Sequence, residues 1–340
     1  MNRERSIREM AEEREYEVLS PYAAHAGDSK GREREEPQCD IRTVYQRDRD
    51  RILHSKSFRR LAHKTQVFIA PMGDHYRTRL THTLEVSQLS RTIAKALRLN
   101  DDLCDAIALG HDLGHTPFGH TGERVLNEIC PLGFAHFRQS IRVVEVLEKN
   151  GEGLNLTWEV RDGILNHRTS GHPSTLEGQI VRFCDKIAYI NHDIDDAERA
   201  GILSEEDIPK KYREILGGST RDRLNTLIHD VIYSSLDRAD IRMSPEIEKA
   251  MMELRKFMFD HVYLNSVAKT EEGKVGRMIT MLYQYYEKHV DEMPQEYIDL
   301  IKKKGQPEPR VVCDYISGMT DQYSISKFQE LFVPQSWQKK

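Results

Sequence analysis

An all-α fold is what this sequence predicts, on three observations. Apolar residues recur at helical spacing in segment after segment, strand-like alternation is absent over any useful length, and helix-starting residues stand where the periodic runs begin. The chain has 340 residues, 38% hydrophobic and 31% charged. That is enough for a large core under a soluble surface, as one helical domain or one domain with an appendage. A net charge of −5 argues against bulk nucleic-acid binding and leaves local basic patches open. Five widely spaced cysteines without a C-x-x-C pair exclude a disulfide framework and a thiolate zinc site. Residues 1–14 are charged throughout, unlike a signal peptide. No apolar run approaches the roughly 20 residues of a membrane span, so no membrane partner and a cytoplasmic location are expected.

Taken in order, residues 1–50 read as an N-terminal arm: a helix at 7–16, a polar stretch over 17–40, then the arginine–aspartate run 42–51. A solvated helix face is the ordinary reading of that run; arginines turned inward to a polyanion are the alternative. Pro71-Met72-Gly73-Asp74 predicts a turn. The helix after it carries a core stripe of His82, Val86, Leu89, Ile93 and Ala96. Asn100 caps the next helix, where Leu103, Ala106, Ile107 and Gly110 put His111 and Asp112 on its last turns. A helix opening at Phe134 (apolar face Ile141, Val144, Leu147), a short one at 158–165, a loop at 167–174 and a long helix over 175–200 follow. On the long helix Asp185, Tyr189 and Asp193 form a polar stripe, and Val181, Cys184, Ile187 and Ala188 put Asp185 at the core boundary. Gly217-Gly218-Ser219 marks a linker before amphipathic helices at 221–236, 245–265 and 274–290, with Ser244-Pro245 as N-cap and first-turn proline. After a loop at 304–309, a final helical pair carries Asp314, Tyr315 and Phe328. Residues 51–200 are thus the expected core, and 201–340 a helical region that packs on it and mediates assembly.

The densest chemistry lies in Gly110-His111-Asp112-Leu113-Gly114-His115-Thr116-Pro117-Phe118-Gly119-His120-Thr121-Gly122-Glu123. Pro117 and the glycines must end the preceding helix and turn the backbone sharply. Burying so many polar groups unpartnered costs on the order of several kcal/mol, and a metal ion would supply the partner. His82, His111, Asp112 and Asp185 stand out as its ligands. Nitrogen and oxygen donors suit Mn²⁺, Mg²⁺, Fe²⁺, Ni²⁺ or Zn²⁺ alike. Taken singly, His82 reads as a satisfied core histidine, His120 as a loop-stabilising residue and Glu123 as a helix-start charge.

The pattern His82, His111-Asp112, Asp185 resembles that of the HD-domain phosphohydrolases. Longer runs resemble, more narrowly, the deoxyguanosine triphosphate triphosphohydrolase family: Phe58-Arg59-Arg60-Leu61, Lys64-Thr65-Gln66-Val67-Phe68, Arg77-Thr78-Arg79-Leu80-Thr81-His82, His111 through Glu123, and Asp185-Lys186-Ile187-Ala188-Tyr189. The similarity is dense over 40–200 and returns in Asp314-Tyr315-Ile316-Ser317-Gly318-Met319-Thr320-Asp321. It implies an HD-domain helical core with an additional C-terminal helical region and one divalent metal ion. The implied reaction is hydrolysis of dGTP, or of a wider set of deoxynucleoside triphosphates, to deoxynucleoside and intact triphosphate. His120 and Glu123 match the family's catalytic pair, and His115 a histidine that contacts phosphate or the leaving 5′-oxygen. Arg79, Lys186 and Tyr189 match phosphate contacts, and Gln66 and Asp193 sugar-hydroxyl contacts. His136 matches a further active-site histidine, although Phe137 replaces the asparagine of the family's F-x-H-N-x-Q block. A homo-oligomer, dimer or hexamer, with nucleotide effectors near subunit contacts is implied too; the C-terminal helices and 42–51 are the expected contact regions. Two other readings keep the same residues: an HD hydrolase of a nucleoside monophosphate or cyclic nucleotide, and a nucleotide sensor or single-strand nucleic-acid binder with little turnover.

Overall fold

A computed structural model describes residues 5–66, 77–263 and 266–334, and these are helical apart from connecting loops and one antiparallel bridge between Thr65 and Thr78. The turn expected at 71–74 and residues 67–68 lie outside the described residues. At the centre stands the helix Asp101–Gly110, buried from Leu103 to Gly110. It is apolar nearly all round because Val44–Leu53, Arg79–Ala96, Trp158–Asn166 and Leu176–Arg199 all pack against it. Side-chain caps define several starts: Asn100 accepts from Leu103 N at 3.2 Å and Thr175 from Gly178 N at 3.1 Å, each worth about 1 kcal/mol. Arg79–Ala96 buries His82, Val86, Leu89 and Ile93 as expected. Ala96 is exposed; the stripe steps by four from Ile93 to Leu97, which closes it.

The stretch 17–40 contains a short 3₁₀ turn, Ala26–Asp28, and is tied to the core. Ala24 N donates to Glu177 at 3.0 Å, Lys30 N to Glu159 at 2.7 Å, and Arg32 pairs with the buried Asp48. The arginine run lies mostly on Val44–Leu53, whose Tyr45, Asp48 and Ile52 are buried. Most of its arginines are paired within the molecule, and Arg42, Arg47 and Arg51 together with Lys149 also line a cavity of about 350 Å³. Arg51 donates to the carbonyls of Leu154 at 2.9 Å and Asn155 at 2.8 Å, Arg49 pairs with Asp102 at 3.3 Å, and Arg42 with Asp50 at 2.6 Å. They bind the arm and the 154–155 segment to the core.

Two apolar clusters result. The first joins the central helices to Lys210–Leu216, Thr220–Ser235 and Pro245–Met258 through Leu216, Leu227, Val231, Met251 and Leu254. The second gathers Ile279 and Leu282 of Ser266–Lys288, Ile298 of Gln295–Lys302, and Val312 and Ile316 of Glu308–Ser317. These pack on Phe118, Val125 and Leu126 at the helix Gly119–Ile129. That helix therefore carries His120 and Glu123 while resting on the C-terminal region. No helix among the described residues is long and apolar enough to cross a membrane.

Candidate active site

The central helix ends at Gly110, so His111 and Asp112 occupy the turn beyond it, one step later than the periodicity suggests. Gly114 lets the helix His136–Arg142 approach: a Cβ on Gly114 would lie 2.1 Å from Ser140 N and 2.4 Å from His136 O. Ser140 Oγ holds the contact, donating to His111 O at 2.7 Å and accepting from Gly114 N at 2.9 Å. Farther on, Phe118 adopts a left-handed conformation, φ 59° and ψ 29°, at a cost of about 1–2 kcal/mol. Gly119 follows at φ 55°, where a Cβ would crowd an Arg79 nitrogen and Gln66 O, each 3.2 Å away. The turn thereby sets His115 and His120 at the rim of a cavity of about 160 Å³.

Donor atoms of His82, His111 and Asp112 lie within 4.8 Å of one another. Asp185 joins them, its Oδ1 3.1 Å from His82 Nε2 and 3.8 Å from His111 Nε2. His111 Nδ1 donates to Ala108 O at 2.6 Å, which leaves the Nε2 lone pair free. Buried Nε2 makes no hydrogen bond and faces Asp112 Oδ1 at 3.4 Å. A ring fixed by one nitrogen with the other bare and aimed at carboxylates is the arrangement of a metal-ligating histidine. This His/Asp group fits a divalent ion, and its all-N,O chemistry leaves the ion's identity open. Burial would raise the Asp112 carboxyl, but His111, His115 and Arg79 outweigh it and hold it well below its ordinary range. Asp185 is likewise lowered against its burial, by the imidazoles of His82 and His111. Both stay ionised, as ligands must.

Gln66, Arg79, His82, Asp112, His115, His120, His136, Asp185, Lys186 and Tyr189 all line the cavity. Glu123 stands behind the lining and is engaged mainly by His136: its oxygens lie 2.9 Å from His136 Nδ1, and His136 N donates at 2.9 Å. His120 Nδ1 is 3.8 Å from Glu123, its side chain 66% exposed. Despite burial, the His120 and His136 imidazoles hold the Glu123 carboxyl far below its usual range. The His115 ring stacks on His136 at 4.1 Å; burial, with Arg79 and His136 adding, pushes its imidazole well down. Arg79 is buried and donates to Asp112 at 2.9 Å. Burial and Asp196 raise the Asp193 carboxyl well above its usual range, and burial and Asp193 raise the Tyr189 hydroxyl.

Other residues join the site without having been singled out in sequence. His167, at the C-terminus of Trp158–Asn166, donates from Nδ1 to Ile164 O at 2.7 Å and faces His136 Nε2 at 3.3 Å. Burial pushes it down to about 4, with His111 and His136 adding. His192 Nδ1 lies 3.3 Å from His82 Nδ1, and its other nitrogen pairs with Glu85. It falls two helical turns after Asp185 on one face, a spacing that was readable. Arg168 and Arg255 line the cavity from a loop and from a C-terminal helix, with no local signal.

The HD domain family matches residues 79–190 and the phosphohydrolase-associated domain matches 241–330. Over 97% of its length, and 97% of the relative's, the chain is 60% identical to a deoxyguanosinetriphosphate triphosphohydrolase-like protein of Caldanaerobacter subterraneus subsp. tengcongensis. Proteins of the same description from Clostridium perfringens and Desulfatibacillum aliphaticivorans are 52% and 48% identical, over 96% and 97% of this chain and 98% and 99% of theirs.

Proposed function

Because the chain belongs to the deoxyguanosinetriphosphate triphosphohydrolase-like family of HD-domain phosphohydrolases, we propose that it hydrolyses deoxynucleoside triphosphates, dGTP among them, to deoxynucleoside and inorganic triphosphate. The observation that carries this reading is one cavity in which the His82–His111–Asp112 donor group stands beside Arg79, Lys186 and the His115–His136 stack. His82, His111, Asp112 and Asp185 would hold a divalent ion, which would supply Lewis acidity toward a phosphate oxygen. Arg79 and Lys186 offset the triphosphate charge; Arg79, already braced by Asp112 through one nitrogen, presents a pre-set guanidinium. Buried Gln66 Oε1, with no hydrogen-bond partner, is an acceptor for a sugar hydroxyl; Tyr189 lines the same cavity, and Asp193, one helical turn on, does not. His120 and Glu123 orient and deprotonate the water that attacks the α-phosphorus. As the bond from phosphorus to the 5′-oxygen breaks, the neutral His115 imidazole donates a hydrogen bond to that oxygen, and the proton given up by the attacking water returns to it through solvent. Glu123 also anchors His136, so one carboxylate organises two imidazoles.

The test is incubation of the protein with each deoxynucleoside triphosphate and Mn²⁺ or Mg²⁺, resolving triphosphate from phosphate. Inorganic triphosphate supports the reading; single phosphates, or binding without turnover, refute it. His111→Ala and Asp112→Ala are expected to abolish turnover with the circular dichroism of the folded chain retained. Glu123→Ala is expected to lower it about 10²–10⁴-fold with metal still bound, and metal loss in that variant would show its role to be misassigned. A homo-oligomer using the C-terminal helices is proposed as well; a monomeric mass by light scattering would exclude it.

A further inference from the structure

We propose that Asp321, far from the HD residues in sequence, is a positioning residue whose carboxylate fixes the turn presenting His115 and His120 to the cavity. Only the kinetic arm of this inference rests on the phosphohydrolase reading above. Asp321 opens the helix Asp321–Phe332, is 8% exposed, and commits both oxygens to segments of the site. Oδ1 accepts from Phe118 N at 2.9 Å. Oδ2 accepts from Thr65 N at 3.0 Å and from Thr65 Oγ1 at 2.7 Å.

Phe118 is the left-handed residue that starts Gly119–Ile129. A charged acceptor at its N–H holds the backbone where it is least willing to stay. The charge also sits at that helix's N-terminus, where the dipole favours it. Thr65 directly precedes Gln66, so the same carboxylate sets the spacing between Gln66 and His120, which line the cavity from separate segments. Lys64 supplies a second pin, its buried Nζ donating to His115 O and, at 2.8 Å, to Ser317 O. The turn is therefore held at His115 O and at Phe118 N, and both pins lead to residues 317–321. This gives the run Asp314–Asp321 a purpose: Asp314 accepts from Gln139 and Arg142 of the His136–Arg142 helix, and Gly318 O accepts from Arg60. The segment is a platform on which the catalytic turn is set.

The full-length chain is to be compared with Asp321→Asn, which keeps the size but turns one acceptor into an NH₂ group facing a donor. A small displacement of catalytic groups is expected to lower kcat about tenfold or more and leave KM within about twofold. Metal binding by calorimetry should stay stoichiometric, and hydrogen exchange over residues 113–121 should accelerate. Unchanged exchange there in a folded variant overturns the proposal, as does a loss of kcat matched by loss of metal. Should the variant not fold, the wild-type amide of Phe118 decides. Protection equal to that of the interior amides of Gly119–Ile129 supports the pin, and rapid exchange overturns it. A wild-type chain that turns over no deoxynucleoside triphosphate defeats the functional reading, while the exchange comparison still judges Asp321.

Discussion

Lys64 lies fully buried between the HD turn and the C-terminal region, and burial pushes its ammonium down to about 7, with Arg60 adding and Asp321 opposing. Its folded value is thus below the ordinary 10.5, so between those two values the unfolded chain holds more protons. Stability from this group therefore rises with pH across roughly 7 to 10.5, and the full penalty is present below 7. The unfolding free energy of wild type minus that of Lys64→Met is expected to climb by up to about 1.4 kcal/mol per pH unit over that window. Urea titrations at several pH values check it, and a flat difference would mean that Lys64 keeps its ordinary affinity for a proton. At this scale the candidate ligands were legible, because His82, His111-Asp112 and Asp185 carry their chemistry in residue type and order. The partner of Glu123 was not: i, i+3 spacing points to His120, whereas the docked helix brings His136 closer.

Among the elements, the turn after Asp101–Gly110 and the helix His136–Arg142 meet at Gly114 with backbone against backbone. Gly114→Ala must push one of them away, since its Cβ would overlap Ser140 N. Overpacking of this kind costs about 1–3 kcal/mol, and moving His136 away from Glu123 is expected to cut turnover about 100-fold. Thermal melts and steady-state rates check both; normal activity in a folded Gly114→Ala chain would contradict the packing. Several helices followed from apolar period and caps, as at Asn100 and Thr175, whereas Gly119–Ile129, Lys210–Leu216 and Gln295–Lys302 were not foreseen. The stripe that ends on Leu97 in place of Ala96 was harder, because both lie within one turn of Ile93 and only the neighbouring helix selects between them.

For the molecule as a whole, Arg142 and Asp314 join the helix that carries His136 to the second apolar cluster. Arg142 Nε and Nη2 both reach the fully buried carboxylate at 2.7 Å, and Gln139 adds a third donor at 2.9 Å. Arg142→Ala would leave that carboxylate largely uncompensated, and a loss of about 3–5 kcal/mol is expected. Arg142→Lys should fall between, since one ammonium cannot reproduce a two-pronged contact. Urea unfolding of the three chains checks the order, and equal stabilities would show that the clusters are joined some other way.

By itself the sequence determined an all-helical chain, a His/Asp group that could hold a metal ion, and the resemblance that pointed to phosphate chemistry. All of these rest on residue type, local period or short spacing, which a linear reading preserves. Only the tertiary structure decided that His167 and Arg255 stand at the site, that Arg49 and Arg51 reach Asp102 and the 154–155 carbonyls, and that 314–321 props the turn carrying His115. The reason is physical: these contacts join residues far apart along the chain, and a side chain's partner is chosen by how helices pack, which no local pattern records.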